Sequence, residues 1–143
     1  MLIKRDILIN ADLKKVWRIF CELERWPEWG SYIIHAEWNT KKKWKQGSRF
    51  IQIIKGFDII KSLKSEATVI KIKPYATVTW AGARKLMKGV HTFKFRKIGS
   101  RTKVTNIEYF TGPLAPAIFP LIKDKFNIYF EQFLDGLKKE AEK

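Results

Sequence analysis

The chain has 143 residues and a net charge of +15, from 29 Lys and Arg against 14 Asp and Glu. This length accommodates one domain with its own core, and the single cysteine excludes an internal disulfide. No apolar run approaches the roughly 20 residues of a membrane-spanning helix, and the start MLIKRDILIN lacks the apolar core of a signal peptide, so we expect a single cytoplasmic domain over residues 1–143.

The first predicted elements are a strand and a short helix. Residues 2–9 alternate between apolar and polar side chains, as a strand with one buried face does. The stretch ADLKKVWRIFCEL, residues 11–23, has apolar residues at helical spacing, and Asn10 or Asp12 can cap its first turn. The following WPEWG is expected to end this helix, because the residue before Pro27 is disfavoured in the helical conformation.

Strands and turns are predicted for the middle of the chain. Alternating apolar and polar residues, punctuated by Gly and Pro, place strands near residues 32–38, 48–55, 63–73, 76–82, 88–98 and 101–111. In the connection AGARKLMKG, Arg84 and Lys85 are expected in a solvated turn, with a place near a cavity mouth as the alternative. No internal repeat or linker divides the chain.

The end of the chain is predicted to form one long amphipathic helix, Ala115 to Leu137. Such a helix would be about 34 Å long at 1.5 Å per residue, roughly twice the average for globular proteins. Its apolar face needs an equally long partner, and the concave face of the predicted sheet is the available one. The sequence therefore predicts an α+β helix-grip fold. In this fold a curved antiparallel sheet of about seven strands wraps around the C-terminal helix, a short helical segment follows strand 1, and a cavity lies between sheet and helix.

Four stretches resemble, in order, the motifs of one family. INADLKKVWRIFCELERWPEW is similar to its opening strand, helix and W-P-x-W turn, and GVHTFKF to its H-x-F strand. TKVTNIEYFTGPL is similar to its last strand and the junction to the final helix, and FLDGLKKEAEK to the close of that helix. The chain thus resembles the START-like, or birch-allergen-like, superfamily, in particular its SRPBCC polyketide cyclase/dehydrase-type branch.

The resemblance implies a helix-grip fold with an internal cavity for hydrophobic ligands. It does not imply one chemistry, because members bind lipids, hormones, quinones or aromatic polyketides, and a few cyclise them. The KKKWK stretch and the high basic charge depart from the family pattern.

One side-chain pair follows from the predicted strand register. If Gly99 and Ser100 form a two-residue hairpin turn, His91 lies directly opposite Glu108. The face that carries the aromatic residues is expected to be the inner one, and by alternation it holds His91, Phe93, Phe95, Val104, Asn106, Glu108 and Phe110. Cross-strand neighbours lie within hydrogen-bonding reach, so the His–Glu pair is a candidate general acid/base. The alternative is a buried pair that satisfies itself or anchors an oxygen of a ligand.

Aromatic side chains dominate the predicted ligand contacts. The residues expected to bind a ligand are Trp29, Phe50, Trp80, His91, Phe93, Asn106, Glu108, Phe126, Tyr129, Phe130 and Phe133. Trp26, Trp29 and Tyr32 follow the first helix, where the resemblance implies a lid over one end of the cavity; the alternative is that they plug the core. The aromatic stripe of the long helix poses the same choice.

The leading functional hypothesis is a protein that binds a small hydrophobic or amphipathic molecule, such as a lipid, quinone or polyketide-like compound. The alternative is a cyclase or dehydrase that uses His91 and Glu108. No cofactor is expected, and with two histidines and one cysteine at none of the usual ligand spacings, no metal site is expected either. We expect a monomer or weak dimer.

The basic charge raises a third hypothesis, contact with a polyanion. The densest run, NTKKKWKQGS, is expected to be a solvated hairpin tip, or else a peripheral contact with an anionic membrane through Lys41, Lys42, Lys43 and Lys45. Nucleic acid is not expected as a partner, because the aromatic residues follow the inward pattern of the core rather than interleaving with lysines.

Overall fold

A computed structural model of the protein describes residues 1–84 and 86–143, with the backbone alone for residues 83 and 84. The expectation for Lys85 therefore lies outside the described residues, whereas Arg84 ends a strand rather than lying in a turn. The elements in chain order are β1 (Leu2–Ile9), α1 (Leu13–Cys21), a 3₁₀ turn (Leu23–Arg25), α2 (Trp26–Trp29), β2 (Ile33–Trp38), β3 (Arg49–Lys55), β4 (Ser62–Lys73), β5 (Thr77–Arg84), β6 (Met87–Ile98), β7 (Arg101–Thr111) and α3 (Ala115–Ala141).

The seven strands form one antiparallel sheet in the order β1-β7-β6-β5-β4-β3-β2. Consecutive strands from β2 to β7 are neighbours, and β1 joins the far edge beside β7. Long strands of alternating burial give the sheet one face toward α3 and one toward solvent. The predicted helix-grip fold, a curved sheet around a long C-terminal helix, is confirmed.

The tight turn between β6 and β7 sets the register of the central hairpin. Gly99 has a φ of +62°, which a residue without a Cβ adopts readily, and Ile98 pairs with Arg101 across the turn. The pairing then runs along the whole hairpin and places His91 opposite Glu108, as predicted. Phe93 pairs with Asn106, and all four of these residues share the inner face.

The first helix is shorter than predicted, and the role assigned to Pro27 is wrong. Asp12 caps α1 by accepting a hydrogen bond from the Lys15 backbone N–H at 3.0 Å, but the helix ends at Cys21. Pro27 lies in the first turn of α2, where its missing N–H costs no helical hydrogen bond. The proline therefore begins a second short helix instead of terminating the first.

The closing helix α3 begins at Ala115 as predicted and extends four residues past Leu137, to Ala141. Its C-terminal half packs against α2 at a very close approach. A Cβ placed on Gly136 would lie 1.9 Å from the backbone oxygen of Trp29, so only glycine allows this contact. The buried residues of this half are Tyr129, Phe130, Phe133, Leu134, Leu137 and Ala141.

An aromatic cluster fills the space between α1, α2 and the part of the sheet around Phe93 on β6. Phe20 contacts Trp26 and Phe93 at ring-centroid distances of 5.4 and 4.8 Å, and Phe133 from α3 contacts Phe93 at 5.4 Å. The buried indole N–H of Trp26 donates to the backbone oxygen of Phe20 at 2.7 Å, so burial leaves no polar group of that side chain unpaired. This half of the molecule is solid core.

Candidate ligand-binding cavity

The other half of the interior contains a cavity of about 650 Å³ between α3 and the inner face of the sheet. The helix contributes Ile118, Ile122, Phe126 and Phe130 to its wall. This volume lies within the range of roughly 300–1,000 Å³ that is typical of small-molecule sites. The wall is mainly apolar, with a few polar side chains.

A row of small residues makes room for the cavity. Ala67, Gly82 and Gly89 pair side by side on three neighbouring strands, with Phe50 and Phe110 at the two ends of the row. The three small residues all line the cavity. A Cβ on Gly82 would meet only the Glu66 backbone oxygen, at 3.5 Å, so the space above this part of the sheet is open. The sheet therefore recedes from α3 where its side chains are smallest.

The cavity reaches the surface at its mouth, formed by the loop 56–61, Leu86 just before β6, and the start of α3. Ile60, Leu86 and Leu114 line the cavity there while remaining 46%, 48% and 40% exposed. The Leu114 backbone N–H donates to the Leu86 oxygen at 3.1 Å, which joins two sides of the mouth. On the third side, the Tyr129 hydroxyl donates to the backbone oxygen of Gly56. The mouth is thus apolar and held by hydrogen bonds.

At the opposite end, the cavity has a floor formed by Trp80, His91 and Glu108, which pair directly across β5, β6 and β7. The next inward-facing row of the sheet, which contains Phe93 and Asn106, belongs to the solid core. His91 is flanked by Trp80 and Phe130 at ring-centroid distances of 4.8 and 5.0 Å. The polar residues of the floor are therefore enclosed by aromatic rings.

Burial makes both titratable groups of the floor favour their uncharged forms. It raises the pKa of Glu108 from 4.5 to about 8 and lowers the pKa of His91 from 6.5 to about 4. The hydrogen bond between His91 and Asn106 opposes the second shift but is outweighed by burial. Near neutral pH the floor therefore carries a protonated carboxyl group beside a neutral imidazole.

The hydrogen bond between His91 and Asn106 favours one tautomer of the imidazole. Its Nε2 lies against the Oδ1 of Asn106, an acceptor, so a neutral imidazole places its proton on Nε2. Its Nδ1 is then a free acceptor, 3.7 Å from Oε2 of Glu108. The Nδ2 of Asn106 is buried with no hydrogen-bond partner within the described residues. Asn106 thus lies behind His91 and fixes the ring orientation.

Tyr32 is the third polar residue at the inner part of the cavity. Its ring stacks on Tyr129 at a centroid distance of 5.0 Å and an interplanar angle of 10°. Tyr32 lines the cavity, and burial, followed by the charge of Glu108, raises the pKa of its hydroxyl. Tyr32 is therefore an uncharged donor within the electrostatic reach of Glu108.

The predicted ligand-binding residues fall into two groups. Those that line the cavity are Trp80, His91, Glu108, Phe126 and Phe130. The others lie behind its wall or in the solid core: Trp29, Phe50, Phe93, Asn106, Tyr129 and Phe133. Of the three aromatics near WPEW, Trp26 is core, Trp29 packs on Phe133 at 4.8 Å, and Tyr32 faces the cavity.

Sequence reasoning missed the small and mouth residues of the cavity. Gln52 and Ser65, a cross-strand pair, add polar atoms to its wall, and Met87 and Leu114 lie near the mouth. These residues had no motif to mark them. The available signal was the pairing of Gly82 with Gly89, which becomes visible only once the register of β5 and β6 is known.

The lysine loop, residues 39–48, lies away from the mouth. It precedes β3 while the loop 56–61 follows β3, so the two are roughly 20 Å apart, the length of a seven-residue strand. Its four predicted contact residues, Lys41, Lys42, Lys43 and Lys45, are exposed. Trp44 anchors the loop, because its indole N–H donates to the Cys21 oxygen at 2.7 Å and its ring lies 4.9 Å from Trp38.

Within residues 1–84 and 86–143 the chain offers neither a cluster of metal ligands nor a membrane-spanning helix. No group of three or more His, Cys, Asp or Glu side chains there could hold a metal ion. In the same part of the chain, no helix combines the length and apolar composition needed to cross a membrane.

Comparison with known proteins gives one family and many structures of the same fold. The profile of the family described as "Polyketide cyclase / dehydrase and lipid transport" matches residues 2–142. No curated protein matches the chain.

Three solved structures illustrate the likeness. A hypothetical protein from Helicobacter pylori is 18% identical, with 99% of this chain and 88% of that chain covered and a TM-score of 0.81. A START superfamily protein from Mycobacterium smegmatis is 14% identical, with 99% and 97% covered and a TM-score of 0.80. The di-domain ARO/CYC BexL from the BE-7585A biosynthetic pathway is 14% identical, with 97% and 45% covered and a TM-score of 0.76. At these identities the likeness concerns the fold.

Proposed function

The chain belongs to the polyketide cyclase / dehydrase and lipid transport family, and we propose that it binds a small hydrophobic or amphipathic molecule in its cavity of about 650 Å³. The supporting observation is the cavity itself, with a mainly apolar wall, apolar side chains at its mouth, and Tyr32, His91 and Glu108 at its inner end. Burying roughly 200 Å² of apolar ligand surface at about 25 cal/mol per Å² provides about 5 kcal/mol, enough for binding without a covalent bond.

The test combines detection of a bound molecule with a blocked cavity. Native mass spectrometry of freshly purified protein is expected to show an added small mass. Gly82→Leu projects a side chain into the cavity and is expected to remove that mass, whereas Ala81→Leu, on the opposite face of β5, is expected to retain it. Retention of the same mass by Gly82→Leu would contradict the proposal.

A second candidate function is acid/base catalysis of the cyclase or dehydrase type by His91 and Glu108. It is favoured by their direct pairing, the 3.7 Å separation of Nδ1 and Oε2, and the opposite shifts of their pKa values. Near neutral pH Glu108 holds a proton to donate and His91 has a nitrogen to accept one. His91→Asn is expected to abolish turnover of a co-purified polyketide-like compound while leaving apolar probe binding nearly intact, with exposed His35→Asn as the control.

Contact of the lysine loop with an anionic membrane remains a separate proposal. The four lysines carry a local positive charge on a segment fixed by Trp44. Replacing all four with Gln is expected to weaken co-sedimentation with phosphatidylserine vesicles. A control variant with the same loss of charge replaces lysines on the outer face of the sheet, Lys4, Lys71, Lys73 and Lys94. Equal weakening by both variants would attribute the binding to net charge alone.

A further inference from the structure

Glu108 is placed to interact with something inside the cavity. Its Oε2 lies 3.7 Å from His91 Nδ1, which is longer than a hydrogen bond, so its proton is not committed to the imidazole. Its Oε1 occupies the space left by Gly89, where an added Cβ would lie only 2.7 Å away. The side chain of Glu108 retains 16% exposure although it lies at the floor of the cavity. The carboxyl group therefore faces the cavity volume rather than the solid core.

A second donor, Tyr32, lines the same cavity from the turn before β2. Tyr32 lines the cavity, and its ring is held in place by stacking on Tyr129. The two tyrosine hydroxyls have different roles, because the Tyr129 hydroxyl already donates a hydrogen bond to the Gly56 backbone oxygen, outside the cavity wall. The Tyr32 ring lies 6.5 Å from Phe130, and the Phe130 ring lies 5.0 Å from His91, the cross-strand partner of Glu108. The charge of Glu108, after burial, also contributes to the raised pKa of Tyr32, which agrees with this proximity.

The chemistry of these groups selects the kind of ligand atom they can bind. A protonated carboxyl and a phenol each offer one O–H donor, and two converging donors suit a carbonyl oxygen, which has two lone pairs. Within the described residues, the ion-pair distances of Glu108 include one partner, His91, whose pKa is lowered to about 4. The lysine that lines the cavity, Lys64, is five residues along β4 from Val69, the residue that pairs with Trp80 of the floor. A ligand carboxylate at the floor would therefore meet uncharged groups and lose its hydration without compensation.

We propose that Glu108 and Tyr32 form a subsite for the carbonyl oxygen of an uncharged ligand, such as a ketone or a quinone, with both side chains as neutral hydrogen-bond donors. This inference rests on the proposed function and names the ligand class of the same cavity. The apolar wall holds the hydrocarbon part, and the oxygen points to the floor. The high positive charge of the surface plays no part in this selection.

Three naphthalene dyes test the proposal with the full-length protein. Prodan carries a neutral ketone, dimethylaminonaphthalene has the same ring without the ketone, and dimethylaminonaphthoate carries a carboxylate instead. Prodan is expected to bind most tightly, by roughly three- to tenfold over the ketone-free dye for each donor engaged. Its emission is expected to show the shift to longer wavelength that hydrogen bonding to the ketone causes, relative to the dye in an aprotic apolar solvent.

Two variants and one matched control assign the donors. Tyr32→Phe is expected to weaken prodan binding roughly three- to tenfold and leave the ketone-free dye unaffected. Tyr109→Phe removes an exposed hydroxyl on the outer face of β7 and is expected to leave the affinity for both dyes unchanged. Glu108→Leu is expected to act as Tyr32→Phe does, and Glu108→Gln retains an N–H donor that cannot titrate.

The pH dependence of prodan binding can be measured on the wild-type protein, so this test does not require that a variant fold correctly. The titratable groups that line the cavity with Glu108 are His91 from β6, Tyr32 from the turn before β2, and Lys64 and Glu66 from β4. On β1, the apolar Ile3 pairs with Glu108, and the nearest charged residue on the same face of the strand is Arg5. The helix α3 contributes the uncharged Phe126 and Phe130 to the cavity wall. Prodan affinity is expected to fall roughly three- to tenfold from about pH 7 to about pH 9.5, as Glu108 loses its proton, and to be independent of pH in Glu108→Gln.

The outcomes separate this inference from the proposed function. Preference for prodan, with loss in Tyr32→Phe and a decline above about pH 8 that Glu108→Gln abolishes, supports the subsite. Equal binding of prodan and the ketone-free dye overturns it while leaving the apolar cavity in use. Tighter binding of the naphthoate also overturns it. Failure of all three dyes to bind would overturn the proposed function, and the inference with it.

Discussion

The uncharged pair in the floor predicts an unusual dependence of stability on pH. Glu108 has a pKa near 4.5 when unfolded and about 8 when folded, so it stabilises the fold fully below about pH 4.5 and loses this contribution as pH rises to about 8. His91 has a pKa near 6.5 when unfolded and about 4 when folded, so its contribution is complete above about pH 6.5 and is lost as pH falls to about 4.

The two dependences cancel between about pH 4.5 and 6.5, where one rises as the other falls. Between about pH 6.5 and 8, Glu108 is the one residue of the pair whose proton occupancy differs between the folded and unfolded states. This span is about 1.5 pH units, and each unit changes the free energy of unfolding by about 1.4 kcal/mol. The free energy of unfolding is therefore expected to be flat and then to fall by about 2 kcal/mol. This is an upper value, because the cavity leaves the Glu108 side chain 16% exposed to water.

Urea unfolding at pH steps of about half a unit measures this profile. In Glu108→Gln the fall above about pH 6.5 is expected to disappear, and the rise caused by His91 becomes visible below it. In His91→Gln the opposite is expected: a continuous fall from about pH 4.5 to about 8. A wild-type profile without the fall, or an unchanged profile in Glu108→Gln, would refute neutral burial of this carboxyl group.

Two glycine substitutions give further predictions. Gly136→Ala places a Cβ 1.9 Å from the Trp29 backbone oxygen, and the forced separation of the helices is expected to cost about 2 kcal/mol despite the better helix propensity of alanine, as measured by urea unfolding. Gly89→Ala places a Cβ 2.7 Å from Oε1 of Glu108, so the carboxyl group must retreat by about 0.7 Å to reach an ordinary 3.4 Å contact. The Glu108 pKa, followed by carboxyl NMR, is expected to change in this variant but not in Gly82→Ala, whose Cβ has room; equal effects would contradict the geometry.

The fold could be predicted from the sequence because local signals fixed its long-range pairing. The two-residue turn at Gly99 and Ser100 set the register of β6 and β7, and one residue of slip would have turned every inner side chain outward. The apolar stripe of α3 needed a partner of its own length, which only the sheet offered. The end of α1 was misjudged because a proline can begin a helix as readily as end one.

The site was predictable only where polar residues stand out among apolar ones. His91 and Glu108 were found by register, but the aromatic residues divided between cavity wall and core in a way that their identity does not reveal. Phe130 and Phe133 lie on the same helix, yet one faces the cavity and the other the solid core. The part of the sheet opposite each aromatic residue decides whether it faces the cavity or the core. Gly82 and Gly89 make room for the cavity because they have no side chain, and no pattern in the sequence marks that effect.

The separation between a neutral floor and a strongly basic exterior makes ionic strength a selective tool. Added salt weakens the attraction between surface charges and a bound polyanion. It leaves the binding of an uncharged ligand in the cavity nearly unchanged, because that ligand has no charge to screen. A polyanion held by the lysines would therefore dissociate in a salt gradient while the enclosed molecule travels with the protein through the column. A salt gradient can in this way separate a polyanion bound to the surface from a molecule bound in the cavity, in a single preparation.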